Sequence, residues 1–142
     1  MRFLLDVNLL VALAFPVHTL HQRAHSWFRK EPGRLWATCA LTQGGFLRVA
    51  SRTLGGSRDA VRRALAGLET DCRSPQHAYW PVDADLRGLS DTQRARLIGA
   101  NQIADMQLLL LAQRYRGQVA TFDTGQKELA AGTRYSGSVV IL

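Results

Sequence analysis

Five short apolar runs alternate with longer segments of helical periodicity, and that alternation constrains the fold more than any other feature of the chain. The runs fall at residues 2–6, 35–38, 79–82, 119–122 and 139–142. Between them lie helix-patterned segments: residues 7–15, stopped ahead of Pro16; 19–30, with Leu20, Ala24, Trp27 and Phe28 on one face and "EPGR" as its breaker; and "LTQGGFLRVASR". Further helices are expected at 58–72, with Ser57 as candidate cap, at 90–100 from a cap at Ser90 or Asp91, and at 103–115, closed by Gly117. Strands alternating with helices predict an α/β fold of three layers, a mostly parallel central sheet flanked by helices. The chain has 142 residues and shows no repeat, low-complexity tract or linker, so a single domain, 1–142, is expected.

The longest apolar stretch, Leu108 to Ala112, falls far short of the roughly 20 residues a membrane span requires. The amino terminus lacks a charged-then-apolar export pattern, which leads us to expect a cytoplasmic protein. In that compartment Cys39 and Cys72, not spaced as a metal-ligand pair, read as reduced core thiols. The 18 Lys and Arg against 11 Asp and Glu give a net charge of +7, which suits a polyanionic partner or reflects a bias toward arginine. All the cations except Lys30 and Lys127 are arginines, which can grip phosphate through two parallel hydrogen bonds.

Two of the apolar runs lead into a carboxylate: Asp6 after "FLL" and Asp123 after "VATF". In open parallel sheets the functional crevice lies outside the carboxyl ends of the strands, which places both acids at one edge. Asp105 opens the helix before the second of these strands, in the apolar and amide-rich "NQIADMQLLLLA". Three acids gathered without a cation repel one another, and at least one retains its proton. Mg²⁺ or Mn²⁺ turns the same cluster favourable, since hard divalent cations take oxygen ligands.

Each residue also has a plainer reading. A strand-end aspartate commonly caps the next helix, and Asp105 could serve the dipole of its own helix. Asn8 and Thr121 could bond only to local backbone. His21 and His25 stand four apart, a zinc-compatible spacing, yet lack the glutamate of a zinc-protease pattern and read as surface or packing histidines. Gly44-Gly45 inside a helix suggests close backbone packing. "LGGSRD" lacks the lysine of a phosphate-binding loop and reads as a turn with a cap.

Taken in order and at their separations, "LLDVNLL", "LTQGGFLRV", "IADMQLLLLA" and "VATFD" resemble the PIN domain of VapC-type toxins, metal-dependent ribonucleases of bacterial toxin-antitoxin pairs. The likeness covers essentially the whole chain, "HQRAHSWF" included. It implies that Asp6 and Asp105 are the principal ligands of Mg²⁺ or Mn²⁺, and that Asp123 is a further acid that binds a second metal or orients a water. Asn8 would hydrogen-bond the first carboxylate or the substrate. Thr121, two residues before Asp123, is expected to share its face of the strand. Where the family usually carries a glutamate this chain has Gln43, which removes about one negative charge and leaves three alternatives: a weakly held second metal, a neutral residue that orients water or RNA, or reduced activity.

The resemblance further implies hydrolysis of RNA phosphodiesters by a water that the metal activates, with Arg48 a candidate phosphate contact. Arg58, Arg62 and Arg63 either guide RNA or form a solvated face. Implied partners are the RNA substrate, a small VapB-type antitoxin protein whose tail blocks the acidic site, and a second copy of the chain in a homodimer. The apolar segments "VNLLVALAF" and "HQRAHSWF" could supply a docking surface or simply core. Two rival functions stand beside the nuclease. One is a catalytically weak or inactive PIN-like module that binds RNA or protein, favoured by Gln43. The other is a haloacid-dehalogenase-like phosphotransferase, suggested by "DVN" but weakened by Asn8 where that family has its second acid.

Overall fold

Apolar runs and periodic segments become five strands and seven α-helices in the computed structural model, which describes residues 1–142. In chain order these are β1 (Arg2–Leu5), α1 (Val7–Ala14), α2 (His21–Arg29), β2 (Leu35–Thr38), α3 (Ala40–Thr53), α4 (Arg58–Cys72) and β3 (His77–Tyr79). A 3-10 turn at Leu86–Gly88 follows, then α5 (Asp91–Arg96), α6 (Gln102–Arg114), β4 (Gln118–Thr121), α7 (Thr124–Ala130) and β5 (Val139–Ile141). All strand pairs are parallel, in the order β3-β2-β1-β4-β5. The chain therefore builds outward from β1 in one direction, then crosses back and builds outward from β4 in the other. No helix is long and apolar enough to cross a membrane.

Side chains that alternate along each strand divide the interior into two cores. Phe3 and Leu5 of β1, Trp36 of β2 and Ala120 of β4 face the layer formed by α1 to α4. Leu4, Ala37 and Val119, one residue out of phase, face α6 and α7 with Leu109, Leu111 and Leu129. Strands buried on both sides in this way read as continuous apolar runs. An apolar cavity of about 280 Å³ opens in the first layer, between Leu10, Leu13, Phe28, Trp36, Phe46 and Leu68.

The structure shifts some expected boundaries and adds one helix. The third strand lies at His77–Tyr79 rather than 79–82, because the ladder ends with the Trp80 N–H bonded to the Thr38 carbonyl and Pro81 has no N–H to extend it. The helix expected over 90–100 stops at Arg96, although Ser90 caps it as anticipated, by a reciprocal bond with Gln93. Ser57 likewise caps α4, through the Ala60 N–H at 3.1 Å. At the end of α6 the left-handed residue is Arg116, with φ of 52°, rather than Gly117. Gly117 serves close approach, since a Cβ there would meet the Arg2 carbonyl oxygen and the Trp80 ring. Helix α7 was not anticipated at all.

The two histidines of α2 are packing residues. His21 Nδ1 and His25 Nε2 bond the Ala12 and Leu13 carbonyls at 2.7 and 2.9 Å, which satisfies carbonyls left free at the end of α1.

Gly44 and Gly45 differ in what a side chain there would meet. A Cβ on Gly45 would lie within 2.4 Å of the Val7 side chain, whereas one on Gly44 would meet only the end of Arg48 at 3.9 Å. Gly45→Ala is therefore expected to destabilise the protein by about 1–3 kcal/mol, through the stiff Val7 at the head of α1. Gly44→Ala is expected to be neutral or to stabilise by up to about 1 kcal/mol from helix propensity. Urea unfolding of the two variants checks the contrast, and equal effects would refute it.

Candidate metal centre

The order of the strands creates the site. β1 and β4 are neighbours, with Leu5 in register with Ala120, and the direction of building reverses between them. Loops leaving two such strands diverge and leave a crevice at their carboxyl ends. Asp6 is the residue after β1, and its N–H still bonds the Ala120 carbonyl at 3.1 Å. Asp123 follows β4 by two residues. Helix α6 must run back toward the start of β4, so it begins at the carboxyl edge of the sheet. Asp105 in its first turn is thereby delivered to the same place.

Each carboxylate is held by a different device. Asp6 is buried and caps α1: its Oδ1 accepts from the Val7 N–H at 2.6 Å, and its Oδ2 accepts from the Thr121 hydroxyl at 2.8 Å. Thr121, itself fully buried, also accepts from the Asp123 N–H at 3.0 Å and so couples the two strand ends. Asp123 is exposed and caps α7, its Oδ1 accepting from the Gly125 N–H at 2.8 Å. Asp105 is half-buried, and its Oδ1 accepts from Gln126 Nε2 at 3.0 Å.

The proton affinities of these acids reflect their crowding. Burial pushes Asp105 up from the usual 3.8 to about 6, the charges of Asp6 and Asp123 add to the rise, and the Gln126 hydrogen bond opposes it. Asp6 is raised as well, chiefly by burial and further by the Asp123 charge, against the bonds from Thr121 and Val7. The three acids thus feel one another. No set of three His, Cys, Asp or Glu side chains is gathered closely enough to hold a metal ion as it stands. The donors are all carboxylate oxygens, the chemistry a hard divalent cation prefers.

The remaining expected residues stand apart from this core. Gln43 donates from Nε2 to the Thr38 hydroxyl at 2.9 Å, and that hydroxyl pairs with His77 Nε2, also at 2.9 Å. Asn8 is exposed on the first turn of α1 and makes no side-chain hydrogen bond; the bonds to Asp6 come instead from Thr121 and from backbone. Arg48 is exposed on α3, without an ion pair, its guanidinium lying back toward Gly44. Arg58, Arg62 and Arg63 are exposed along α4. The residue that sequence reading missed is Gln126, fully buried on α7 and bonded to Asp105. Its signal was the aspartate cap ahead of "TGQKELA", masked by the glycine at 125.

The PIN domain family model matches residues 3–132. Ribonuclease VapC44 of Mycobacterium tuberculosis is 37% identical over 123 residues, which is 87% of each chain. Ribonuclease VapC38 of the same organism is 39% identical over 132 residues, 89% of each chain. Among solved structures, FitAcB from Neisseria gonorrhoeae superimposes with a TM-score of 0.68 at 20% sequence identity, over 100% of this chain and 97% of the other. By the family match and by identity over most of its length, the chain belongs to the PIN-domain family and to the VapC proteins within it.

Proposed function

We propose that this chain is a VapC-type toxin, an endoribonuclease that hydrolyses RNA phosphodiesters and depends on Mg²⁺ or Mn²⁺, with residues 1–142 acting as one PIN-like unit. The observation that carries the reading is that Asp6, Asp105 and Asp123 lie at the edge where strand order reverses, near enough that the charges of Asp6 and Asp123 add to the burial that lifts the Asp105 pKa to about 6. Asp6 and Asp105 are assigned as the principal ligands and Asp123 as the third acid. A bound divalent cation supplies Lewis-acid activation of water and charge stabilisation at phosphorus. The chain supplies the rest. Thr121 fixes the Asp6 carboxylate, and the exposed Asp123 keeps Oδ2 free to accept a proton or orient a water. Asp6, Asp105 and Asp123 would hold the cation through carboxylate oxygens, the donors that Mg²⁺ and Mn²⁺ take.

Asn8 and Arg48, exposed and uncommitted, are assigned to RNA rather than to the carboxylates. Gln43 contributes no charge and is assigned a supporting role, a reading supported by its bond to Thr38. The partners proposed are RNA, a small VapB-type antitoxin, and a second copy of the chain as a homodimer in the cytoplasm. Most of the apolar face of α1 is spent on the core, with Leu9, Leu10, Val11 and Ala12 buried. An open apolar cavity lined by α1, α2, α3, α4 and β2 is the surface proposed for an apolar segment of the antitoxin.

Three outcomes are expected. Asp6→Asn and Asp105→Asn should fold yet lose at least about 100-fold of metal-dependent cleavage of structured cellular RNA, because charge is removed without volume. Full activity in either variant would take that residue out of the site, and RNA binding without cleavage by the wild type would favour the binding module.

The second concerns pH. Because the folded pKa of Asp105 is raised to about 6, this group favours the fold below pH 3.8, and that contribution is lost as pH climbs through about 6; Asp6, also raised, acts in the same direction. In chelator, Asp105→Asn should therefore melt higher than the wild type at pH 7, with the gain shrinking toward pH 4. A gain that is constant across this range would contradict the assignment.

Third, co-expression with the small open reading frame adjacent to the gene should relieve growth arrest caused by this chain. Continued arrest at matched protein levels would count against an antitoxin partner.

A further inference from the structure

Gln126 is fully buried on α7 and uses only half of its amide. Nε2 donates to Asp105 Oδ1 at 3.0 Å, while Oε1 has no hydrogen-bond partner. Turning the amide over would set Oε1 against the carboxylate, so the ionised acid dictates the orientation. An unpaired buried acceptor costs stability. Methionine, of similar length and without a carbonyl, would fill the same space without that cost. The neighbouring buried residues of α7, Leu129 and Ala130, are ordinary core packing, which leaves packing alone a poor explanation for an amide at 126.

The surroundings of Asp105 supply the other half of the argument. The bond from Gln126 is the only hydrogen bond its side chain receives, whereas Asp6 has two donors, Val7 and Thr121. Without Gln126, nothing in the chain fixes the rotation of the Asp105 carboxylate. We propose that Gln126 is a positioning residue that ties Oδ1 of Asp105 so that Oδ2 is presented to the space shared with Asp6 and Asp123. Its role mirrors that of Thr121, which ties one oxygen of Asp6. An amide meets this need better than an acid, since it donates without adding a fourth negative charge. The inference rests on the reading of the three aspartates as a cation site.

The test is calorimetric titration of Mn²⁺ into the full chain, together with thermal melts in chelator, for wild type, Gln126→Met, Gln126→Leu and Asp105→Asn. The two Gln126 variants are expected to melt at or above the wild type while Mn²⁺ affinity falls about 10-fold or more, as when a residue orienting a metal ligand is removed. Affinity within about twofold of wild type in a folded Gln126→Met or Gln126→Leu would overturn the positioning role. So would failure of both variants to fold, or a lower melting temperature with affinity unchanged, since either makes Gln126 a structural residue. A wild type that binds no Mn²⁺ overturns the inference together with the cation reading. A wild type that binds, with Asp105→Asn failing to bind, leaves the cation reading intact whatever the Gln126 variants do.

Discussion

A buried hydroxyl ties the two halves of the fold together at the place where they part. Thr121, the last residue of β4, donates to the carboxylate of Asp6, which lies 115 residues earlier at the end of β1. That bond requires β1 and β4 to be neighbours in parallel register, which the reversal of strand order between them provides. The same reversal opens the crevice, because the chains leaving the two strands turn into helices of different layers: α1 packs in the first core and α7 in the second. The site is thus a consequence of topology, and Thr121 holds its edges together.

Direction matters as much as order. A helix that connects parallel strands must start at their carboxyl edge, so the first turn of α6 brings Asp105 to the crevice without any loop built for the purpose. Buried Met106, Leu109 and Leu111 anchor α6 against the sheet, which leaves the acid on a rigid element. Rigidity carries an electrostatic consequence. Carboxylates that cannot move apart, and are partly removed from water, hold protons more tightly. The fold accordingly sacrifices some stability at neutral pH to keep the acids together, as functional sites commonly do.

How much of this was legible in the sequence depends on what each residue's neighbours reveal. Asp6 and Asp123 stand out because apolar runs of three and four residues lead directly into them, and a parallel sheet then dictates one edge for both. Asp105 stood out as the acid of an apolar helix start. Thr121 was placed near Asp123 by strand alternation, yet its bond to Asp6 depends on which strands are adjacent, and short apolar runs do not encode their order. Helix α7 was invisible because only seven residues form it and one of them, Gly125, disfavours helix. That glycine admits the Asp123 carboxylate over the helix end, where a Cβ would lie 3.0 Å from Oδ1. With α7 unseen, Gln126 had no reason to be near Asp105.

The amide at Gln43 is more than the absence of an acid. Its Nε2 donates to the Thr38 hydroxyl, which also pairs with His77 Nε2. Burial lowers the pKa of His77 and so favours the neutral imidazole, which can pair with that hydroxyl in either tautomer. An ionised carboxylate at position 43 would take the Thr38 hydrogen for itself and restrict His77 Nε2 to the role of donor. The surroundings of Gln43 are thus compatible with the amide, which bonds from α3 to the end of β2. The two glutamines then divide the work. Gln43 satisfies the edge of β2, and Gln126 serves the carboxylate of Asp105.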